Sequence, residues 1–225
     1  MNLGQLNALF RRLADDVEAP FFISDDDFTT YINEAEVEAC RRARLLVDST
    51  SALTALPIVS GQATYNLDSR ILYVRRVKLA SSTTPLAAAD HRDMDQSLHG
   101  WDSQSGTVER WITGMDNAYQ RVLRLYRIPT ASDTATLTVV RKPENSMESE
   151  SDEPEIEERF HIHLLHWPLY RYYSIQDADV ADSKKAQENL EQFVATFGTP
   201  EQADEAEAAA LERLANRFAY ATGTF

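Results

Sequence analysis

The sequence contains a single cysteine, Cys40, among its 225 residues. A lone cysteine excludes an internal disulfide and a cluster of thiolate ligands. No hydrophobic run approaches the roughly 20 apolar residues that a membrane-spanning helix needs. Residues 1–16 contain arginines and lack the apolar stretch and the cleavage site of a signal peptide. We therefore expect no membrane partner and a reducing interior, such as a cytoplasm, as the natural setting.

The motifs of several common enzyme classes are also missing. The sequence has no Gly-rich phosphate loop, no nucleophile elbow and no HExxH metal motif. HRDMD, residues 91–95, is similar to the catalytic loop of protein kinases, but no asparagine follows at the required spacing. We predict a short polar helix or loop there, no catalytic residues and no cofactor.

Basic residues are scarce relative to acidic ones. The chain has 22 Lys and Arg against 36 Asp and Glu, which gives a formal net charge of −14 at pH 7. Binding nucleic acid through its phosphates needs clustered basic side chains, so this balance argues against that activity. Any contact with DNA is expected to be indirect.

The first 52 residues are predicted to form the N-terminal helices of a bundle. Apolar residues at three-four spacing predict an amphipathic helix over 3–18, through Leu3, Leu6, Phe10, Leu13 and Val17. Ser24 is the expected cap of a second helix, which begins with three aspartates and ends with arginines. The buried face predicted for this second helix consists of Phe28, Ile32, Ala35, Ala39, Ala43 and Leu46.

From about residue 53 the hydrophobic pattern alternates with a period of two, which predicts an antiparallel β domain over 53–142. The clearest strands are residues 63–67, 71–79, 122–126 and 134–140. An acidic, Ser-rich flexible connector with too little apolar material to pack is expected at 143–154. The fold class predicted from these patterns is α+β, an α-helical bundle with an inserted antiparallel β-sheet or sandwich domain and a C-terminal helix.

A long helical segment is predicted over 155–198, with a bend or interruption at Pro168 and a stop at Gly198. It contains the candidate metal ligands His161, His163, His166, Asp177, Asp179 and Asp182. On a helix, His163 and His166 are about 60° apart, but His161 is roughly 140° or more from both, so the three rings cannot converge on one ion. We expect imidazoles that are hydrogen-bonded in a seam and no metal. The alternative is a metal-dependent hydrolase that uses His163 and His166 with an acidic partner.

Residues 199–225 are predicted to begin with a capping box, with Thr199 as the N-cap, Pro200 first in the helix and Gln202 third. The Ala-rich helix that follows, to about residue 220, carries its large apolar side chains near its far end. We expect this segment to be a partner-binding arm with the candidate contact residues Leu211, Leu214, Phe218, Tyr220 and Phe225.

Read in order, several stretches resemble the head-to-tail adaptor, or head completion, proteins of tailed bacteriophages. They are YINEAEVEACRRARLL (31–46), GQATYNLDSRILYVRRVKL (61–79), LRLYRIPTASDTATLTVVRKP (123–143) and HIHLLHWPLYRYYSIQDADVADSKKAQENLEQFVATFG (161–198). The resemblance spans about residues 25–198. It rests on the order of these stretches, and none of them is a catalytic motif.

The resemblance implies a structural virion protein and not an enzyme. It implies a homo-oligomeric ring, commonly a dodecamer, at the head–tail junction, assembled in the host cytoplasm. Its implied partners are the portal protein and a tail or tail-nozzle protein, and double-stranded DNA is only cargo that passes through the channel. A ring of acidic copies would line that channel with negative charge, which lets packaged DNA slide. A cytoplasmic interaction module unrelated to phage is the remaining alternative.

Overall fold

The computed structural model describes residues 1–113, 121–175, 181–202, 205–206 and 208–210. They divide into a helical unit, Met1–Leu46 with residues 142–202, and a β unit, Val47–Arg141. The helices are α1 (Leu3–Ala14), α2 (Asp25–Ala43), α3 (His91–Ser97), α4 (His161–Leu164), α5 (His166–Tyr173) and α6 (Ser183–Phe197). The strands are β1 (Leu46–Asp48), β2 (Ala55–Ile58), β3 (Thr64–Asn66), β4 (Ile71–Leu79), β5 (Ala87–Asp90), β6 (Ser105–Gly106), β7 (Arg110–Thr113), β8 (Val122–Tyr126), β9 (Ile128–Pro129) and β10 (Asp133–Arg141).

Helix α1 ends four residues earlier than the hydrophobic spacing predicts. Its last residue is Ala14, and Asp15 follows in the left-handed conformation with φ 58°. The Asp16 carboxylate then accepts a hydrogen bond from the backbone N–H of Phe22, which holds the chain in a turn. The predicted continuation to residue 18 is therefore wrong, and Leu13 and Val17 are 52% and 56% exposed.

Helix α2 forms as its end signals predict. Ser24 caps it in a capping box with Asp27, and Arg44 follows it in the left-handed conformation. The predicted face is buried at Phe28, Ile32, Ala35 and Ala39, while Ala43 and Leu46 are partly buried against the same core. Aromatic rings fill that core, with Phe10 packed on Phe28 and on the edge of Tyr172.

The segment predicted as one long helix contains separate helices in its described part. Helix α4 ends at Leu164, and α5 begins at His166. Pro168 is the third residue of α5, where a first-turn amide has no helical acceptor to lose, so proline does not disrupt the helix there. The next helix in the described part is α6, which ends at Phe197, before Gly198, as predicted. The rings of Trp167 on α5 and Phe193 on α6 lie 5.2 Å apart, so the two helices pack together.

The acidic segment 143–154 packs on the helical unit, in contrast to the prediction. Met147 is 3% exposed within the helical core. Its backbone N–H donates to Asn33 Oδ1, and its carbonyl oxygen accepts from Asn33 Nδ2, both at 2.9 Å. The segment has little apolar area to bury, and one buried side chain and a pair of backbone hydrogen bonds attach it to the helical unit. Its flexibility in solution stays a prediction.

The same segment accepts hydrogen bonds from the backbone N–H groups at the start of α1. Backbone N–H groups in the first turn of a helix have no helical acceptor. Here Leu3 donates to the carbonyl oxygen of Asp152 at 2.7 Å, and Gly4 donates to that of Glu150 at 3.0 Å. The segment is therefore part of the bundle's hydrogen bonding.

In the β unit, β10 lies between strands of the first sheet. It pairs antiparallel with β2 and β4, in a sheet with the path β1-β10-β2. A second sheet has the order β3-β8-β7-β5, and β6 pairs with β9. The pairs β5–β7 and β6–β9 are parallel. The predicted α+β class is confirmed, with mixed pairing where the alternation alone suggested antiparallel strands throughout.

A buried ion pair joins the two ends of the β unit. The Arg141 Nε donates to Asp48 Oδ2 at 2.7 Å, and both side chains are nearly inaccessible to solvent. Burial by itself would raise the pKa of Asp48, but hydrogen bonds from Ser51, Thr50 and Arg141 outweigh it and hold that pKa well below its usual value. The ion pair therefore connects the first and the last strand of the β unit, close to where the chain enters and leaves the unit.

Candidate functional site

His161 is a structural residue in this fold. It is 3% exposed, and its Nε2–H donates to the carbonyl oxygen of Ile156 at 2.9 Å. Its Nδ1 lies 2.9 Å from the amino nitrogen of Met1. Because both ring nitrogens are engaged by protein groups, His161 is not placed to bind a metal ion.

The other two histidines lie next to each other on a shared surface. The ring centroids of His163 and His166 are 6.3 Å apart. The Nδ1–H of His166 donates a hydrogen bond to Asn189 Oδ1 at 3.1 Å. Asp182 caps α6 by accepting from the backbone of residues 184 and 185. Asp177 and Asp179 fall outside the described residues. In the described part of the chain, no group of three or more His, Cys, Asp or Glu could hold a metal ion.

The connection between α1 and α2 exposes a run of large apolar side chains. Leu13, Val17, Phe21 and Phe22 are 52%, 56%, 42% and 37% exposed, and we call them, with the exposed carboxylates Asp15 and Glu18, the α1–α2 surface. Exposed apolar residues are ordinary when scattered singly, whereas a contiguous group with a polar rim marks an interaction surface. Four of the five large apolar side chains that are exposed in the described part of the helical unit fall within residues 13–22, which makes the α1–α2 surface a candidate for protein binding.

Buried contacts hold the α1–α2 surface in place. The guanidinium of Arg11 donates to Asp16 Oδ2 at 2.6 Å, to the carbonyl oxygen of Ile23 at 2.8 Å and to Asp25 Oδ1 at 2.8 Å. Phe21 lies with its ring 4.2 Å from this guanidinium. Hydrogen bonds from Asn7 and Arg11 hold the pKa of Asp25 below its usual value. The arginine thus anchors the turn that carries the apolar side chains.

Phe22 is held from the other side of the turn. Its ring meets the edge of Tyr172 on α5, with centroids 5.8 Å apart. Beside Phe21, an open groove of about 660 Å³ runs along α1 and is lined by Asn2, Gly4, Gln5, Asn7, Ala8, Arg11, Phe21, Asp25, Glu150 and Ser151. Both aromatic rings are therefore oriented before any partner arrives.

The β unit carries a contrasting, basic surface on β4. Strand β4 pairs with β10 along one side, and the register shifts between Thr138 and Val139, opposite Arg76 and Val74. This bulge leaves Arg75 and Arg76 both exposed, next to the half-buried Lys78. Within the described residues, neither Arg75 nor Arg76 forms an ion pair with a carboxylate. We call Arg75, Arg76 and Lys78 the basic strand.

The charge of the whole chain is divided unevenly between the units. Residues 47–141 contain nine Asp and Glu and ten Lys and Arg, a formal charge of +1, so the rest of the chain carries −15. The net charge of −14 for the whole chain does not show this uneven distribution. Acidity belongs to the helical part, and the β unit is close to neutral with its basic residues concentrated on one strand.

Among the described residues, a buried carboxylate of the helical unit, that of Glu36, has no such counter-charge. Glu36 on α2 is 1% exposed and accepts hydrogen bonds from the backbone N–H groups of Glu155 at 2.6 Å and Ile156 at 3.3 Å. Burial raises the pKa of Glu36 to about 7, against the opposing effect of the two N–H groups. Glu36 therefore connects α2 to the backbone at residues 155 and 156, and its raised pKa lies near neutral pH.

The predicted C-terminal arm is described only at its start. Thr199 N–H donates to Gln202 Oε1 at 3.1 Å, and Gln202 N–H donates to Thr199 Oγ1 at 3.2 Å, which confirms the predicted capping box. Residues 200–202, 205–206 and 208–210 are helical. Leu211, Leu214, Phe218, Tyr220 and Phe225 lie outside the described residues, so their role stays a prediction.

The sequence model of the SU10 adaptor protein family matches residues 1–216. This chain belongs to the SU10 adaptor family. The resemblance to phage head-to-tail adaptors is thus confirmed at the level of the family, and the match extends beyond residues 25–198 at both ends, into the first part of the C-terminal segment. No curated protein has a sequence that matches this chain.

As an SU10 adaptor, the chain is a structural protein of a bacteriophage. No helix among its described residues combines the length and the hydropathy needed to cross a bilayer. Sequence reasoning missed the α1–α2 surface because Leu13 and Val17 fit the apolar stripe of a longer helix. It also missed the basic strand, although two adjacent arginines, Arg75 and Arg76, break the alternation of β4 and were a signal that both point outward.

Proposed function

We propose that this SU10 adaptor forms a ring between the portal and the tail of the virion, where it extends the DNA channel and provides the tail attachment surface. The observation that carries the proposal is the family match over residues 1–216. A ring of twelve copies is the assembly we expect from the resemblance to head-to-tail adaptors. The ring assembles in the host cytoplasm and becomes part of the head–tail junction.

The charge division supports a role that avoids binding DNA tightly. The helical unit carries −13, so a ring that presents it to the channel repels phosphates and lets DNA pass. The basic strand has two exposed arginines and a half-buried lysine, fewer cations than the 6–10 phosphate contacts of many specific DNA-binding proteins. A high-affinity, salt-sensitive complex of the isolated protein with duplex DNA would contradict this part of the proposal.

We also assign portal binding to the C-terminal arm, residues 199–225. Its Ala-rich start buries little area, whereas its end carries the large apolar and aromatic residue types that dominate interface hot spots. The arm orders or reorients on meeting the portal, as a segment that folds on binding.

The experiment is to mix the purified protein with its portal and image the product by electron microscopy. A ring of adaptor density beneath the portal is the expected result, and a chain that stays monomeric beside free portals contradicts the proposal. Deleting residues 199–225 should leave a folded subunit that fails to join the portal. Normal incorporation of the truncated chain, or its unfolding, would show that the arm is not the portal-binding segment.

A further inference from the structure

A ring of identical subunits needs two different surfaces on each copy, because each copy contacts its two neighbours head to tail. The described residues present one such pair of opposite chemistry. The α1–α2 surface is apolar and acidic and lies in the helical unit. The basic strand lies in the β unit and exposes Arg75 and Arg76. Neither surface complements itself, but each complements the other.

We propose that the α1–α2 surface of one copy binds the basic strand of the next copy. This inference rests on the ring of the proposed function and assigns its subunit interface. The occupant of the apolar patch is thus a second copy of this chain, and the contact is heterologous, so it propagates around a ring.

The chemistry of the two surfaces fits side chain by side chain. Guanidinium groups stack on aromatic faces and form ion pairs with carboxylates, and Arg is enriched in interfaces for both reasons. Phe21 already accepts the guanidinium of Arg11 near its ring at 4.2 Å while remaining 42% exposed. In the contact, Arg75 and Arg76 of the neighbour lie against the exposed part of Phe21 and pair with the carboxylates at positions 15 and 18.

Preorganisation strengthens the contact. Phe21 is held by Arg11, and Phe22 is held against Tyr172, so binding does not have to order these rings. On the other side, hydrogen bonds to β10 flank the bulge that exposes both arginines. The conformational entropy that is lost when the surfaces meet therefore comes mainly from the two arginine side chains.

Charge also selects the orientation. A symmetric dimer through the helical units would bring two regions of −13 together, which is repulsive. A contact between the helical unit of one copy and the β unit of the next brings −13 to +1 and joins the exposed arginines to exposed carboxylates. The head-to-tail arrangement is therefore the favoured one.

The test uses two full-length variants, each with one surface removed. Arg75→Ala/Arg76→Ala removes the exposed arginines of the basic strand, and Val17→Gln/Glu18→Lys/Phe21→Gln removes their contacts on the α1–α2 surface, all at exposed positions where folding is least affected. Matched controls are Arg92→Ala, an exposed arginine on α3, and Ile162→Gln, which is 51% exposed on α4. Circular dichroism verifies the fold of each variant, and native mass spectrometry with and without the portal reads the assembly.

We expect each variant alone to lose the ring, with the contact weakened at least about tenfold, while both controls assemble as the wild type does. An equimolar mixture of the two variants retains one intact contact per pair and should give dimers and nothing larger. Rings formed by either variant, or a mixture that stays monomeric, would overturn the assigned contact while the ring of the wild type stands. A wild type that stays monomeric with its portal would overturn the ring itself.

Discussion

In the β unit the buried carboxylate of Asp48 faces Arg141 at 2.7 Å, whereas in the helical unit the buried carboxylate of Glu36 is met by two backbone N–H groups. The first pKa is lowered and the second is raised to about 7. Burial opposes ionisation at both sites, but at Asp48 the hydrogen bonds from Ser51, Thr50 and Arg141 together outweigh it, whereas at Glu36 the two backbone N–H groups do not. These two carboxylates therefore contribute to stability with opposite pH dependences.

The same difference extends to the charge of each unit. The β unit is almost balanced at +1, and its cations are available to bury and pair its carboxylates. The helical unit, at −13, has far more carboxylates than cations, and its buried Arg11 already contacts both Asp16 and Asp25. Among the described residues, no cation pairs with Glu36, whose carboxylate is met by backbone N–H groups.

The largest effect is expected when the ion pair of the β unit is broken. Arg141→Met should lower the free energy of unfolding by about 3–5 kcal/mol, because Asp48 is then buried without its counter-charge. Urea denaturation followed by the fluorescence of Trp101 and Trp111 measures this. Arg92→Met is the control at an exposed position. A loss under about 1 kcal/mol would mean that solvent reaches Asp48.

The pH dependence of this pair follows from the lowered pKa. Asp48 contributes stability above the pKa of an unfolded aspartate, near 4, and that contribution is lost as the pH falls through the lower folded pKa. Acid should therefore destabilise the wild-type β unit and affect Arg141→Met less.

Glu36 should give the opposite pH dependence in the helical unit. With a pKa raised from 4.5 to about 7, the folded state binds a proton that the unfolded state releases, so stability falls as the pH rises from about 5 to 7. The fall attributable to this group is roughly 3 kcal/mol. Glu36→Gln should remove it, as measured by thermal or urea unfolding at several pH values, with the exposed Glu188→Gln as the control. An unchanged slope in Glu36→Gln would disprove the assignment.

A smaller effect is expected at the acidic segment. Asn33→Ala removes both hydrogen bonds to the backbone of Met147 and should lower the free energy of unfolding by about 2 kcal/mol. Limited proteolysis should then cut within 142–154 faster than in the wild type. Thr30→Ala, at an exposed position of α2, serves as the control. If wild type and Asn33→Ala are cut equally fast, the segment is mobile despite these contacts.

The smallest effect is expected at the two half-buried histidines of α4 and α5. His163→Gln with His166→Gln loses one hydrogen bond to Asn189, so stability should change by less than about 1 kcal/mol. Metal analysis of protein prepared without a His-tag should show no ion lost from the double variant. A stoichiometric zinc ion in the wild type that is absent from the variant would support the hydrolase alternative.

Local features of the fold could be predicted because their causes lie within a few residues. The caps at Ser24 and Thr199, the strand at 71–79 and the stop at Gly198 each depend on neighbours along the chain. The order of such stretches also sufficed for the resemblance to head-to-tail adaptors, which the family match confirmed.

The parts that were wrong depend on side-chain contacts that hydrophobic periodicity does not register. Met147 is buried because Asn33, 114 residues earlier, binds its backbone. Leu13 and Val17 are exposed because a turn anchored by Asp16 ends α1, although their spacing matches a buried stripe. Periodicity reports which side chains share a face, and it does not report whether that face is covered.

The sequence by itself determined the elements, the α+β class, the family and the excess of acidic residues. Only the tertiary structure decided where that charge matters, because burial depends on contacts between distant parts of the chain. It placed Asp48 beside Arg141 across 93 residues and left Glu36 facing two amides. It also exposed the apolar α1–α2 surface and the basic strand. The reason is physical: hydration and counter-charge, which set both pKa values and binding surfaces, are properties of the packed molecule and not of the local sequence.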